Sequence, residues 1–373
     1  MRWTAYGAAA AIGMIAACSS PAPDATPANR TATTTTAAPT PTPTPTTAAD
    51  THTRPAPAEP RTFRDWAVAC DNGARCTMAS LAPGDAGDFP AWTLSVARDA
   101  GPAGGFALSL SAIEDKPAPA AIVVDGRSFA LAADGLTGAR AAAVVAAMAN
   151  GRAMQVRGRG GAALGDVSLA GASAALRYID DRQGRVGTVT AAVVRGTAPA
   201  ARVPAAPALP VVVAPTPAGR AAAITPALLA AMQATGRCET KRPDGEPWTA
   251  EAHALGGGAT LVLLPCSVGA YNEVQALFVV RDGKPAPARV DAPAGFAASG
   301  ADPETPVPSV VNATFDGGVL SSYAKGRGLG DCGVAQAFVW DGAMLRLTDQ
   351  NEMRECRGNP EFLPLWRARV VRR

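Results

Sequence analysis

The chain has 373 residues, 34 Lys and Arg against 31 Asp and Glu, and two histidines, for a formal net charge of +3. So slight a positive balance, spread over this length, excludes a nucleic-acid-binding reading. The scarcity of histidine argues against zinc sites and Ser-His-Asp hydrolases.

After Met1 and Arg2 there is no charge from Trp3 to Ala17, a run ending Ile15-Ala16-Ala17-Cys18-Ser19-Ser20. It is shorter than the roughly 20 apolar residues of a spanning helix and fits the core of a signal peptide. Small residues before a cysteine read as a bacterial lipoprotein signal, so residues 1–17 are expected to be removed and Cys18 to carry the lipid. At about 0.8 kcal/mol per buried methylene, three acyl chains anchor a protein stably. Ser19, in place of an inner-membrane aspartate, favours the outer membrane, with the protein facing the periplasm. Residues 18–60, rich in Thr, Pro and Ala, cannot bury enough surface to fold and are expected to form a disordered stalk. In polyproline II geometry, at about 3.1 Å per residue, the stalk reaches on the order of 100 Å.

Once Cys18 is assigned to lipid, Cys70, Cys76, Cys238, Cys266, Cys332 and Cys356 remain. An even count in an exported chain suggests disulfides, and pairing of sequence neighbours is the economical arrangement. There is no Cys-x-x-Cys pair, and no metal or cofactor is expected.

Residues 197–219 form a second proline-rich stretch, read as a linker between a first domain at 61–196 and a second at 220–373, with Val211-Val212-Val213 able to lie along a domain as an edge strand. In the first domain, alternating segments at 92–96 and 106–110 flank a Gly/Pro turn. Those at 122–124 and 128–131 flank Asp125-Gly126, a hairpin signal. Helices are predicted over 137–149 and 172–181. The second domain opens with a helix capped by Thr225-Pro226 and stopped by Gly236. Strands at 259–264, 274–280, 310–315, 319–323, 335–340 and 345–347 follow, with Asp-Gly turns at 282, 316 and 341. The fold class is mainly β with a few helices (α+β): two β-sandwich-like or curved-sheet domains behind a disordered lipoprotein stalk.

Several blocks carry a resemblance. They are Phe63-Arg64-Asp65-Trp66-Ala67-Val68-Ala69-Cys70-Asp71-Asn72 with Cys76, the small-residue run at 168–176 leading to Asp181-Arg182-Gln183-Gly184-Arg185, Pro265-Cys266 with Gly269-Ala270-Tyr271-Asn272, residues 325–333, residues 353–358, and Leu365-Trp366-Arg367-Ala368. Together they resemble the bacterial family known as domain of unknown function 1176, over residues 61–373. The opening Asp-Trp-x-Val-x-Cys and the small-residue helix are also similar to the invasion-associated locus B family of exported β-sandwich proteins, over the first domain. Neither resemblance implies a catalytic residue.

His253 is the one histidine outside the stalk, and there is no Gly-x-Ser-x-Gly elbow or Walker loop. The preferred candidate for a functional face is the charged cluster expected around a Cys332–Cys356 bridge: Lys325, Arg327, Asp331, Arg354, Glu355 and Arg357 on irregular, glycine-rich backbone. Tyr271 and Asn272, beside Cys266, form a second candidate. Two functions follow. The favoured one is a non-enzymatic binding module or inhibitor on the envelope, with a protein, peptide or glycan partner. The other is a hydrolase of an envelope polymer using Asp331, Glu352 and Glu355, since paired carboxylates can cleave glycosidic bonds. Ion pairing of those acids with Arg327, Arg354 and Arg357 is the structural alternative.

Overall fold

The computed structural model describes residues 54–84, 89–112, 116–132, 135–292 and 306–373. The signal segment, Cys18 and the Thr/Pro tract up to residue 53 lie outside them. All the described residues belong to one compact unit.

Its first part holds two antiparallel sheets. The larger contains β1 (Arg61–Phe63), β2 (Trp66–Cys70), β3 (Cys76–Ser80), β4 (Trp92–Arg98), β5 (Phe106–Ala112) and a short β8 (Leu136–Thr137), in the order β1-β2-β3-β4-β5-β8. The smaller, β10-β9-β6-β7, is made of β6 (Pro119–Val124), β7 (Arg127–Ala130), β9 (Met154–Gly158) and β10 (Ala163–Val167). Asp125 and Gly126 both take positive φ, 47° and 83°, which gives the β6–β7 turn the right-handed twist of its strands. Two helices, α1 (Gly138–Met148) and α2 (Ala172–Arg182), complete a single core in which Trp66 and Leu94 meet Ile122, Met154, Val144 and Leu176.

The second part is a sandwich of two five-stranded sheets. One is built on β12 (Glu251–Gly256), β13 (Ala259–Val268), β14 (Glu273–Arg281) and β15 (Lys284–Pro287), with β16 (Ser309–Val311) also paired to β14. The other is the meander β17 (Thr314–Asp316), β18 (Val319–Lys325), β19 (Gly333–Trp340), β20 (Leu345–Met353) and β21 (Leu363–Arg367). Leu261 and Leu277 of the first sheet face Phe338, Leu347 and Trp366 of the second. Each such side chain, fully buried, contributes about 1.5–3 kcal/mol. Helix α3 (Pro226–Gly236) precedes the sandwich, and the Thr225 hydroxyl caps it by accepting from the Leu228 amide at 3.2 Å.

Three local features differ from expectation. The segment 310–315 is two strands, because Asn312 takes φ 46° and carries the chain from one sheet of the sandwich to the other. Gly236 stays helical and Arg237, at φ 54°, makes the left-handed stop. Gly236 is small for another reason: a Cβ there would lie 2.8 Å from the Cys238 sulfur. Finally, no strand is predicted over 66–70, yet β2 forms there without alternation, all five of its residues being buried.

The burial of β2 follows from what lies on its second face. Ala67, Ala69, Ala79 and Leu81 pack against Cys332, Met353, Leu363 and Leu365, so the six-stranded sheet is covered on one side by its own core and on the other by the meander. Two further ties hold residues 54–60 and 211–214 to this body. Val211–Ala214 in the proline-rich stretch forms β11, parallel to β22 (Arg369–Arg372). Residues 54–60 take no regular secondary structure, Pro55 is buried, and the Ala58 amide donates to the Leu365 carbonyl at 3.1 Å.

Candidate functional site

The three disulfides join sequence neighbours: Cys70 with Cys76, Cys238 with Cys266, and Cys332 with Cys356. The third crosses between the start of β19 and the end of β20, and the charged residues Arg327, Asp331, Glu352 and Arg354 pair beside it. Arg327 donates to Asp331 through Nε and Nη2, at 2.7 and 2.5 Å, and the Gly358 amide donates to the same carboxylate at 2.7 Å. Burial pushes the Asp331 carboxyl up, but the Arg327 and Gly358 hydrogen bonds outweigh it and hold the group below its ordinary value.

The remaining charges reach across to residues 59–82. Arg354 binds Glu352 and, at 2.7 Å, Glu59. Glu355 accepts from the Thr62 hydroxyl at 2.8 Å. Arg357 pairs with Asp65 at 2.6 Å and donates to the Arg64 and Ala82 carbonyls. Arg327 and Arg354 therefore pair with acids of the cluster, whereas Arg357 does not. The group is a clasp fastening the third bridge to the six-stranded sheet, and Asp331, Glu352 and Glu355 are each bound into it. Lys325 differs: its ammonium, 6.0 Å from the Tyr323 ring, makes no ion pair among the described residues.

The second candidate joins the first. Asn272 donates to the Lys325 carbonyl at 2.9 Å and accepts from the Lys325 amide at 3.1 Å, copying a strand partner with its side chain. The Tyr271 hydroxyl donates to the Gly326 carbonyl at 3.2 Å, its ring lies against Gly328, and the residue stays 41% exposed. Asn312 ties the arrangement together, donating to the Asn272 side chain at 2.8 Å and to the Tyr323 carbonyl at 2.9 Å.

Asn312 also lines an open trough of about 410 Å³ on the outer face of the β17–β21 meander, with Ser321, Tyr323, Asp349 and Asn351. Ala335 and Ala337 form its floor. The Tyr323 hydroxyl donates to the Gly330 carbonyl at 2.5 Å and its ring meets Phe362 edge-on at 5.7 Å, so the loop of the third bridge fixes one wall. Asn351 donates to Asp349. Burial raises the Asp349 carboxyl above its ordinary value, against the opposing pull of Asn351 and Arg367; burial and then the Asp331 charge raise the Tyr323 hydroxyl.

Sequence reading did not find the trough. Asp349 and Asn351 look like the solvent-facing residues of any two-sided strand, and only the pairing register sets them beside two alanines. It also missed a buried network under residues 184–198, where Arg98 pairs with Asp180 at 3.0 Å and Asp180 accepts from the Ala192 and Val193 amides. Burial, then the neighbouring Arg185, lowers Arg98 to about 10. His253 lies 3.3 Å from Glu251 and stacks on Phe315. Among the described residues, no group of three or more His, Cys, Asp or Glu side chains is placed to hold a metal ion, and no helix is long and apolar enough to cross a membrane.

Residues 60–371 match the family described as "Protein of unknown function (DUF1176)". The chain is also 32% identical over 326 residues to the Escherichia coli (strain K12) protein named "Uncharacterized protein YpfG", a match covering 78% of this chain and 87% of that one. No solved structure matches.

Proposed function

The chain belongs to the DUF1176 family, whose description carries no activity, and we propose that it is a lipid-anchored envelope protein that binds a partner and does not turn it over, the anchor argued from the N-terminal sequence and the binding from the geometry. Cys18 is the anchor, and the outer face of the β17–β21 meander is the binding face. One observation carries this reading. The charges at the third bridge are spent on fastening the scaffold, and the frame they stiffen borders an open trough of convergent polar side chains. Pockets with a few well-placed polar groups on a rigid frame are the usual form of a binding site. Hydrolysis by the acids of the third bridge has less support, since Asp331 is held by Arg327 and Gly358, and Glu355 by Thr62.

A photo-reactive amino acid at Ser321 of the full chain tests the reading in living cells. Covalent adducts with an envelope component are expected from Ser321 and not from the exposed Arg182. Equal labelling at the two positions overturns the binding face. Cys18→Ser tests the anchor separately: the chain is expected in the soluble fraction, and a variant still firmly membrane-bound contradicts lipidation.

A further inference from the structure

The chemistry of the trough narrows what it accepts. Antiparallel pairing puts directly opposed residues on the same face, so the register of the meander lays side chains in rows across the strands. One row runs Thr314, Ser321, Ala337, Asp349, Arg367. The next runs Tyr323, Ala335, Asn351. Five strands at 4.7–4.9 Å spacing make the longer row about 19 Å from end to end. Hydroxyl, hydroxyl, methyl, carboxyl and guanidinium follow one another along it, with a phenol and an amide alongside.

Backbone groups of the central strands are occupied by their ladders, so recognition falls to these side chains. An extended peptide pairs through backbone at a sheet edge, and the edge beside the trough is only the three-residue β17, away from the floor of Ala335 and Ala337. An anion meets the Asp349 carboxylate, while the nearest guanidinium, Arg367, is held by Asp71 at 2.5 Å. A cation finds a single acid in the lining, Asp349, whose carboxylate already accepts from Asn351. An apolar ligand would strand the hydroxyls and amides without partners. An uncharged chain bearing many hydroxyls satisfies them all: it can donate to Asp349, exchange hydrogen bonds with Asn351, Ser321 and Thr314, and lay a C–H face against Tyr323.

We propose that this trough binds an uncharged oligosaccharide chain, with Asp349 and Asn351 gripping neighbouring hydroxyls over the floor of Ala335 and Ala337. The proposal rests on the binding face described above and assigns the class of ligand to it. Tyr323 is held ready by Gly330 and Phe362, so little ordering is required on binding.

The test is calorimetric titration of the full chain in detergent with tri-N-acetylchitotriose, maltotriose and cellotriose, with inorganic phosphate as the charged comparison. At least one trisaccharide is expected to bind and phosphate is not. Asp349→Asn removes a charged acceptor and is expected to weaken binding about tenfold. Ser321→Trp fills the trough from an exposed position and is expected to abolish binding while leaving the urea midpoint unchanged. If none of the trisaccharides binds at millimolar concentration, or if Ser321→Trp binds as well as the native chain, the saccharide assignment is wrong. Its failure is distinct from failure of the binding face: adducts from Ser321 in cells without trisaccharide binding would sink the ligand class alone, whereas labelling at Ser321 no greater than at Arg182 would sink the face itself.

Discussion

Asp331→Ala should loosen the clasp at the third bridge, and its cost follows from three hydrogen bonds. The carboxylate is fully buried and accepts two bonds from Arg327 and one from the Gly358 amide. Bonds to a charged group contribute about 1.5–3 kcal/mol each, and a buried donor left unpaired costs about 1–3 kcal/mol. The Arg327 side chain is 37% exposed, so the freed guanidinium regains water and the sum is discounted to about 3 kcal/mol. Asp331→Asn keeps an acceptor for Gly358 and should cost about half as much. Urea unfolding at pH 7 measures both, with a midpoint shift of about 1 M for the alanine variant at a slope near 3 kcal/mol/M. The dependence on pH gives an independent check. Because the folded value lies below the ordinary 3.8, the carboxylate stabilises the fold fully above the unfolded value, and this contribution is lost as pH falls through the folded value. The gap between native and Asp331→Asn proteins should therefore be constant near neutrality and close in strong acid. A gap unchanged from pH 7 to the acid limit, or an alanine variant within about 0.5 kcal/mol of the native chain, refutes the clasp.

Removal of the disulfides should follow loop length: replacing both cysteines of the 332–356 or 238–266 pair by serine costs about 3.5 kcal/mol, and the short 70–76 pair about 2.4 kcal/mol, read by calorimetry of the oxidised proteins. Asp180→Ala should cost about 3–5 kcal/mol, because it leaves Arg98 buried without its partner, and should speed hydrogen exchange at the Ala192 and Val193 amides; unchanged exchange there would mean that the network does not hold residues 184–198. Gly333→Ala should prevent β18 and β19 from pairing at the third bridge, since a Cβ would lie 2.0 Å from the Ala324 carbonyl at φ 137°, and a thermal midpoint within a few degrees of native would contradict that contact. Asp331→Asn should also lower the Tyr323 hydroxyl pKa in an ultraviolet pH titration, because the Asp331 charge helps to raise it.

Local chemistry was readable where one residue type settles one conformation. Asp125-Gly126 and Asp282-Gly283 form turns with positive φ at both positions, and Thr225-Pro226 starts a helix. The disulfides followed sequence proximity. What could not be read depended on distant partners. β2 reads poorly as a strand because its second face is buried by Leu363 and Leu365, nearly 300 positions away, which removes the polar alternation. Val211–Ala214, inside a proline-rich stretch, is a strand because the end of the chain supplies a partner. The bridge between Cys332 and Cys356 was readable from sequence proximity, and beside it Arg327 pairs with Asp331 and Arg354 with Glu352. The contacts of Arg354, Glu355 and Arg357 with Glu59, Thr62 and Asp65 were not legible, because nothing in the sequence says that the first sheet packs beside β21. The trough is hidden for the same reason, since its rows exist only in the register of β17 to β21.

Nuclear magnetic resonance titration of the labelled full chain with the best-binding trisaccharide tests the trough most directly. The largest shifts are expected at Ser321, Tyr323, Ala335, Ala337, Asp349 and Asn351, with little change at Val186 or Val189 on the opposite part of the sequence. Shifts centred elsewhere, or none on the outer face of the β17–β21 meander, would contradict a binding face there.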